Sequence, residues 1–301
     1  MNWLVYAILG VVLAGASPVF AKSGMRKSNA HLAAALRGTI LFFAAWFMAG
    51  ITKSGVPLDK LGKTTFLYLI FAGIATGIVW VCLLRALQLG DVIKVVPVLE
   101  GSIILDLVVG MVVFRDAITW NKIIFIIILT AGVVMMALRN SGRGGKRGNW
   151  IGYGLAAMIL TSVTVALDRI GIVGVNSYGE RLIQYGIAMV VVWIITFATG
   201  GYKGLRSMSF LDGVYLCLSG LCTGGAWYCF FYAYLLGKNS TVEIIECFDL
   251  VAAVMLGCVF MRERTTLRSV FGMILMMLGF ILMLMDIPVI PFSSMPGCYS
   301  R

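Results

Sequence analysis

The chain has 301 residues, of which 60% are hydrophobic and 12% charged, and its mean hydropathy is +0.98. A soluble domain is nearer half apolar and one quarter charged, so this composition excludes a soluble protein and indicates an integral membrane protein. The net charge of +11 does not indicate a nucleic-acid partner, because the Lys and Arg residues lie in short segments between apolar runs, as the positive-inside rule expects.

Apolar segments of about 20 residues recur along the chain, which indicates membrane-spanning helices rather than the shorter strands of a membrane barrel. We therefore predict an all-α membrane protein surrounded by the lipid bilayer. Its ten transmembrane helices form two sets of five: Trp3–Ala21, Leu32–Gly50, Phe66–Leu84, Val92–Phe114 and Ile123–Leu138, then Trp150–Leu167, Leu182–Thr199, Val214–Leu235, Asn239–Met261 and Val270–Met285.

The second half of the sequence repeats the first at an offset of 147 residues, without a gap. Six of the seven tryptophans pair at this offset: Trp3 with Trp150, Trp46 with Trp193, and Trp80 with Trp227. Because each repeat holds an odd number of spans, the second enters the membrane in the opposite sense. Secondary transporters have this inverted-repeat architecture, with a substrate site near the midplane between the repeats. The predicted units are a five-helix repeat, a basic glycine-rich linker, a second five-helix repeat and a short tail: residues 1–138, 139–148, 149–285 and 286–301.

Acidic residues inside two paired spans mark the candidate site. Five of the thirteen Asp and Glu residues lie there: Glu100, Asp106, Glu243, Glu246 and Asp249. A carboxylate at the centre of a lipid-facing helix costs roughly 2.5–3.5 kcal/mol, so these groups are expected to face a polar interior. Glu243, Glu246 and Asp249 share an arc of about 120°, where like charges favour protonation of one carboxyl. Either they form a proton or cation relay that also meets the substrate, or they are fixed ties to Lys94, Arg85 or backbone groups.

Four further residues are candidate lining of the same cavity. Arg85 and Lys94 bracket the turn between the third and fourth spans, where they either offer a cation to a substrate carboxylate or mark a membrane surface. Trp80 and Trp227 occupy equivalent depths in the two repeats, where they either wall the cavity or serve as packing and interfacial anchors.

Two local features predict departures from symmetry. Pro97 is expected to kink the fourth span, and because its repeat mate is Ile244 the two halves are predicted to differ at this point. Asp168 and Arg169 are expected to form a local ion pair in a loop, because the mate of Asp168 is Ala21 and offers no acid.

Three short stretches resemble motifs of a known family. Gly90-Asp91-Val-Ile-Lys94-Val-Val-Pro97 is similar to a helix-entry motif of the EamA-type permeases, within the drug/metabolite transporter superfamily. Arg115-Asp116-Ala-Ile-Thr119 and Arg262-Glu263-Arg-Thr-Thr266 resemble the turn that closes each EamA repeat, where a Gly-Glu pair precedes Leu-Thr. Lys22 and Arg169 match a basic residue that ends the first span of each half. The resemblance covers residues 2–285 and implies a polytopic carrier of small metabolites, often an exporter.

The sequence also departs from related families. Ala14 and Thr161 stand where small multidrug-resistance proteins carry a functional Glu, so their mechanism is not transferred to this chain. Leu99-Glu100 replaces an Asp-Lys pair of bacterial members, which changes the expected charge of the substrate. Asp249-Leu250 replaces the Asn-Lys pair of nucleotide-sugar transporters, so a nucleotide sugar is not expected.

The sequence therefore predicts a secondary transporter, an exporter of a small metabolite such as an amino acid or amine, which works by alternating access and uses the carboxylates for proton coupling. A flippase for a lipid-linked sugar remains the alternative. A membrane-embedded enzyme is disfavoured, because the chain has a single histidine, His31, and its predicted interior offers mainly carboxylates. No cofactor and no metal are expected; the partners are the small-molecule substrate and the bilayer, and the chain is a monomer or homodimer.

The distribution of basic residues predicts the orientation. Fifteen of the 24 Lys and Arg residues flank the loops after odd-numbered spans, Arg37 and Lys94 among them, and nine lie on the other side. The linker 139–148 is the densest basic segment, so we predict that it faces the cytoplasm, that both termini lie outside, and that the protein resides in the cytoplasmic membrane.

Overall fold

The computed structural model describes residues 3–26, 28–52, 62–116, 120–137, 149–171, 177–237, 242 and 245–286. Each regular element in these ranges is helical. In chain order they are α1 (Trp3–Ser23), α2 (Ala30–Ile51), α3 (Lys63–Leu89), α4 (Val92–Glu100), α5 (Ser102–Val112), α6 (Trp120–Ala137), α7 (Trp150–Gly171), α8 (Ser177–Ala198), a 3-10 helix (Gly201–Arg206), α9 (Phe210–Leu236), α10 (Asp249–Met261) and α11 (Leu267–Asp286).

Many of these helices are long and apolar enough to cross a membrane. Seven described segments meet both conditions: Trp3–Ser23, Ala30–Ile51, Lys63–Leu89, Val92–Val112, Trp150–Ile170, Gly179–Ala198 and Phe210–Leu236. Three shorter apolar helices accompany them, Lys122–Ala137, Asp249–Met261 and Leu267–Leu282. A helix satisfies its own backbone hydrogen bonds, which is what an apolar segment needs in lipid. The predicted all-α membrane class is confirmed, and the count of ten spans stays a prediction.

The two halves of the chain interlock through equivalent pairs of helices. Helix α1 packs against α9 and α10, and its repeat counterpart α7 packs against α3 and against α4 and α5. Helix α2 likewise packs against α9, and its counterpart α8 against α3; α2 meets α8, and α6 meets α11. If each helix is replaced by its counterpart in the other repeat, each of these contacts becomes another contact of the same set. A two-fold axis between the repeats produces this pattern. The space between the halves is therefore built from both repeats.

Two of these contacts bring backbones very close together. A Cβ on Gly15 of α1 would lie 2.5 Å from Ala252 Cβ in α10. Gly132 of α6 and Gly272 of α11 face each other, and a Cβ on either would lie 2.8–2.9 Å from the other's carbonyl oxygen. Small residues permit this approach in membrane helices, and a larger side chain would force the helices apart.

Both acid-bearing spans are interrupted near their middle, where the sequence predicts a kink at Pro97 in the first span and a continuous helix in the second. Helix α4 ends at Glu100, the chain turns at Gly101, and Gly101 N–H donates to the carbonyl of Pro97 at 3.1 Å. In the second half the turn falls at Cys247–Phe248, where Phe248 N–H donates to the carbonyl of Ile245 at 3.0 Å. The two turns are repeat mates, but their hydrogen bonds span four residues in the first half and three in the second. Ile244, the mate of Pro97, lies outside the described residues, so the prediction that the halves differ at this position stays a prediction. In the first half the helix is interrupted shortly after a proline, whereas in the second half it is interrupted at a tightened last turn.

Candidate functional site

Three carboxylates meet where the two helix interruptions come together. Glu100 closes α4, Glu246 precedes the Cys247–Phe248 turn, and Asp249 is the first residue of α10. All three line the same two cavities. Asp249 lies at a helix N-terminus, where the helix dipole favours negative charge, and Glu246 Oε2 accepts a hydrogen bond of 2.6 Å from the Tyr234 hydroxyl. The structure thus brings together three of the five predicted site residues.

The larger cavity has a volume of about 540 Å³ and extends from this cluster to the exposed residues Asp116 and Arg169. Asp106 lines it, together with Ser162 of α7. Asp106 Oδ1 and Ser162 Oγ are buried without a hydrogen-bond partner among the described residues. The fourth predicted carboxylate therefore lies in this cavity. The fifth, Glu243, lies outside the described residues.

The smaller cavity has a volume of about 270 Å³ and lies on the other side of the same carboxylates. Pro18 and Ala21, from the last turns of α1, line it, and so does Trp227, as one of the two sequence interpretations had it. Arg37 also lines it and is only 9% exposed. We counted Arg37 among the charges at helix ends, and that interpretation was wrong, because its guanidinium points inward from α2. The signal was present in the sequence, since Arg37 is the eighth residue of an apolar helix.

Arg37 has a polar counterpart in the second repeat, Gln184, which is 3% exposed. Arg37 Nη2 donates to Thr223 Oγ1 at 3.1 Å, and Gln184 Nε2 donates to Thr76 Oγ1 at 3.2 Å. Thr223 and Thr76 are themselves repeat mates. The same helix–helix contact thus holds a cation in one half and a neutral amide in the other. Gln184 also donates weakly to Asp168, at 3.4 Å.

Two ion pairs link the halves, and they are repeat mates of each other. Lys22 Nζ lies 2.7 Å from Glu263 Oε1, and Arg169 binds Asp116 through two hydrogen bonds of 2.7 and 2.8 Å. In each pair the cation ends the first span of one repeat and the acid follows the fourth span of the other. The expected local pair of Asp168 with Arg169 is therefore wrong: Arg169 reaches across to the opposite repeat. The paired guanidinium holds the pKa of Asp116 below its usual range.

The two ion pairs lie at opposite ends of the bundle. Lys22 donates to the carbonyl of Gly90, which lies against Trp150 at the start of α7. Arg169 is in the last turn of that same helix, roughly 28 Å further along its axis. We call these the Lys22 end and the Arg169 end. The smaller cavity lies towards the first and the larger cavity towards the second.

The pairs differ in how tightly they are enclosed. Glu263 has 7% of its side chain exposed, and its carboxylate also accepts hydrogen bonds from the N–H groups of Val92 and Ile93, at 3.0 and 3.1 Å. The Arg169 and Asp116 side chains are 48% and 33% exposed. The bundle is therefore more firmly closed at the Lys22 end than at the Arg169 end.

An unusual turn presents the acid of each pair. Arg115 and Arg262, repeat mates, have φ angles of 54° and 53°. The next residues, Asp116 and Glu263, donate their backbone N–H groups to the carbonyls of Gly110 and Gly257, at 3.1 and 3.4 Å. A left-handed arginine costs roughly 1–2 kcal/mol, which explains why the turn it resembles carries glycine at this point.

The remaining predicted lining residues lie away from both cavities. Lys94 is buried, 3.5 Å from Asp91, with its ammonium over the ring of Trp150. Arg85 donates to Gln88 at 2.6 Å and lines a separate cavity with polar residues at the start of α2, at the end of α8 and beside the 3-10 helix. Trp80 is buried against Gly38 and the ring of Tyr185. The position of Arg85 agrees with a surface role and that of Trp80 with packing, the second interpretation given for each. Buried Lys94 lines neither cavity and lies at no surface, so neither interpretation given for it describes its position.

Two interlocked helical halves that enclose acid-lined cavities are the architecture of a membrane transporter. The chain belongs to the EamA-like transporter family, whose sequence profile matches residues 1–138 and again residues 148–285. These two ranges start 147 residues apart, which is the offset of the internal repeat. A protein of Sinorhizobium sp., named as an uncharacterized transporter in the cobO 3' region, is 26% identical over 137 residues. Those residues make up 97% of that protein and 46% of this chain. The protein is thus a multi-pass membrane transporter.

Proposed function

We propose that the protein exports a small amine or amino acid across the cytoplasmic membrane in exchange for protons. One observation carries the proposal: Glu100, Glu246 and Asp249 border two cavities that lie towards opposite ends of the bundle. A group that borders both cavities can take up a proton or an ammonium group from one side and release it to the other. Ionisable residues within membrane helices generally mark such paths.

The groups around the cluster suit an exchange of cations. Three carboxylates lie in one small region, and Tyr234 donates a hydrogen bond to one of them, Glu246. The cations that face this region are Arg37, which lines the smaller cavity, and Arg181 of α8, which lies close enough to act electrostatically on Glu246. Neither cation lies within 4 Å of a carboxylate of the cluster in the described part of the chain. A bound proton and a substrate ammonium group would therefore replace one another at the carboxylates.

The two ion pairs support a mechanism of alternating access. The Lys22–Glu263 pair ties α1 of the first repeat to the end of α10, and the Asp116–Arg169 pair ties the end of α5 to α7. We infer that each pair breaks when the cavity at its own end opens. Both pairs are formed in this structure, so by this criterion neither end is open, and the greater enclosure of the Lys22–Glu263 pair makes the Lys22 end the more firmly closed of the two.

A flux measurement tests the proposal. Purified protein is placed in liposomes, a pH gradient of either sign is imposed, and proton movement is followed with an internal dye while amines or amino acids are added. We expect substrate-dependent proton flux that reverses with the gradient. Transport that proceeds at the same rate with and without the gradient would contradict proton exchange. Movement of a lipid-linked sugar, without movement of amines or amino acids, would favour the flippase instead.

A further inference from the structure

We propose that Arg37 is the anion-binding residue of the smaller cavity and that it takes the carboxylate of the substrate. The substrate would then be a zwitterionic amino acid rather than a simple amine. This inference rests on the proposed function, since it concerns the same cavities, but it is carried by a different residue and tested by a different measurement.

The burial of Arg37 is the first part of the evidence. The residue is 9% exposed, yet no carboxylate in the described ranges lies within 4 Å of its nitrogens. Its hydrogen bonds in those ranges come from Nε and Nη2, and none comes from Nη1. A buried guanidinium without a counter-charge is costly, and its N–H groups retain donor capacity for an anion.

A network of hydroxyl groups holds the guanidinium in place. Nε donates to Ser219 Oγ at 3.0 Å, and Nη2 donates to Ser17 Oγ and Thr223 Oγ1 at 3.2 and 3.1 Å. These hydroxyls are tied to the backbone and to one another: Ser219 Oγ donates to the carbonyl of Ser17 at 2.9 Å, and the Ser17 and Thr223 hydroxyls are 2.7 Å apart. All these partners are neutral. They orient the planar group, and an oriented guanidinium suits a carboxylate.

The rest of the cavity complements a zwitterion. The smaller cavity places Arg37 and the carboxylates Glu246 and Asp249 on one enclosed surface, with Trp227 and Phe230 as apolar lining. An amino acid brings an anion for Arg37 and a cation for the acids. A simple amine satisfies only the acids, and a simple carboxylic acid satisfies only Arg37. The volume of about 270 Å³ suits a small metabolite.

The second repeat supplies a test variant that the fold already accommodates. Gln184 occupies the position equivalent to Arg37 and hydrogen-bonds to Thr76, the mate of Thr223. Arg37→Gln therefore removes the charge while placing a residue that packs at the equivalent contact. Arg37→Lys keeps the charge and loses the fork of donors. Arg206→Gln, on the exposed 3-10 helix outside both cavities, is the matched control for loss of one arginine charge.

The experiment compares ligands that differ by one group. The full-length protein in detergent is titrated with neutral L-amino acids, each beside its decarboxylated amine and its deaminated acid, and ligand-induced thermal stabilisation gives apparent affinities. For the amino acid that binds best, we expect its amine to bind about 10- to 100-fold more weakly to the native protein. Arg37→Gln should bring the two within about threefold of each other, Arg37→Lys should give an intermediate preference, and Arg206→Gln should keep the native one.

Several results would overturn the inference. It is wrong if the native protein binds amines as tightly as amino acids, if no amino acid binds at all, or if Arg37→Gln keeps the full preference. Should Arg37→Gln fail to fold, the comparison in the native protein and in Arg37→Lys still decides. Amine binding equal to amino-acid binding, together with proton exchange in liposomes, would reject the role of Arg37 and leave the proposed function standing. Absence of both the preference for amino acids and proton exchange would reject the role of Arg37 and the proposed function together.

Discussion

Lys22 and Glu263 form an ion pair of 2.7 Å whose repeat mates, Arg169 and Asp116, form another of 2.7 Å at the opposite end of the bundle. Each pair joins the first span of one repeat to the segment that follows the fourth span of the other. The same contact between equivalent residues is thus formed twice, once at each end. An inverted repeat makes this possible, because the same residues reach opposite ends when the second copy enters the membrane the other way round.

Breaking the Lys22–Glu263 pair should open the smaller cavity at its own end. Glu263→Gln removes the charge. Val92 N–H and Ile93 N–H donate to different oxygens of the Glu263 carboxylate, so the single amide oxygen of Gln keeps one of these two bonds and the helix start stays partly capped. We expect a cysteine introduced by Ala21→Cys, in a variant without other cysteines, to react several-fold faster with a membrane-impermeant maleimide applied at the Lys22 end. The labelling rate is measured on sealed vesicles of known orientation.

Asp116→Asn is the matched control for this gate. It removes the equivalent charge at the Arg169 end, so labelling of the introduced cysteine from the Lys22 end should not rise. Equal labelling in Glu263→Gln and in the native background would show that the pair is a fixed tie and not a gate.

The left-handed turns give a prediction about stability. Arg262→Gly should raise the free energy of unfolding by about 0.5–1 kcal/mol, because glycine adopts a positive φ without steric cost. Arg262→Val should lower it by about 1–2 kcal/mol, since a β-branched residue is strained there. Thermal unfolding in detergent measures both, with Arg264→Gly, which has no positive φ, as control. Equal shifts for the two glycine variants would mean that the backbone at Arg262 carries no strain.

The sequence predicted those parts of the fold that depend on composition and period. Long apolar segments, the repeat at one offset and the acids within two spans are properties of the chain itself, so the helical membrane class and the closeness of Glu100 to Asp249 were both accessible. The interruption at Cys247–Phe248 was not. No proline or glycine marks it, and it forms because the second half packs around the same axis as the first.

The ion pairs and Arg37 were missed for a related reason. Local reasoning paired Asp168 with its neighbour Arg169, whereas packing between repeats places Asp116 against that arginine. Arg37 lies in the third turn of α2, which indicates a charge within the span, but a helix with apolar residues all round does not show in which direction that side chain points. The repeat carried usable information: Lys22 aligns with Arg169 and Glu263 with Asp116, and two aligned pairs of opposite charge are a signal for contacts between halves.

The orientation in the membrane is a further prediction. Arg37 and Lys94 are buried and do not act as surface charges, but removing both still leaves the linker as the densest basic segment. We therefore expect the linker in the cytoplasm and both termini outside. A C-terminal alkaline-phosphatase fusion should be active and a C-terminal fluorescent-protein fusion dark. Fusions inside the linker, at residue 144, provide the control and should give the opposite pattern; a glowing C-terminal fusion would reverse the assignment.

The coupling acids give the last prediction. Glu246→Gln and Asp249→Asn keep size and hydrogen bonding but cannot exchange a proton, so either change should abolish transport driven by a pH gradient. Removing a charge from within a membrane helix should not impair folding, and the purified variants should stay monodisperse.

Counterflow, in which labelled and unlabelled substrate exchange with no gradient, separates binding from coupling: a variant that has lost only coupling still shows counterflow. Glu243, outside the described residues and nearer an interface in the sequence, should tolerate the change to Gln with partial activity. If Glu246→Gln and Asp249→Asn both transport at the native rate with the native pH dependence, the acids are structural ties.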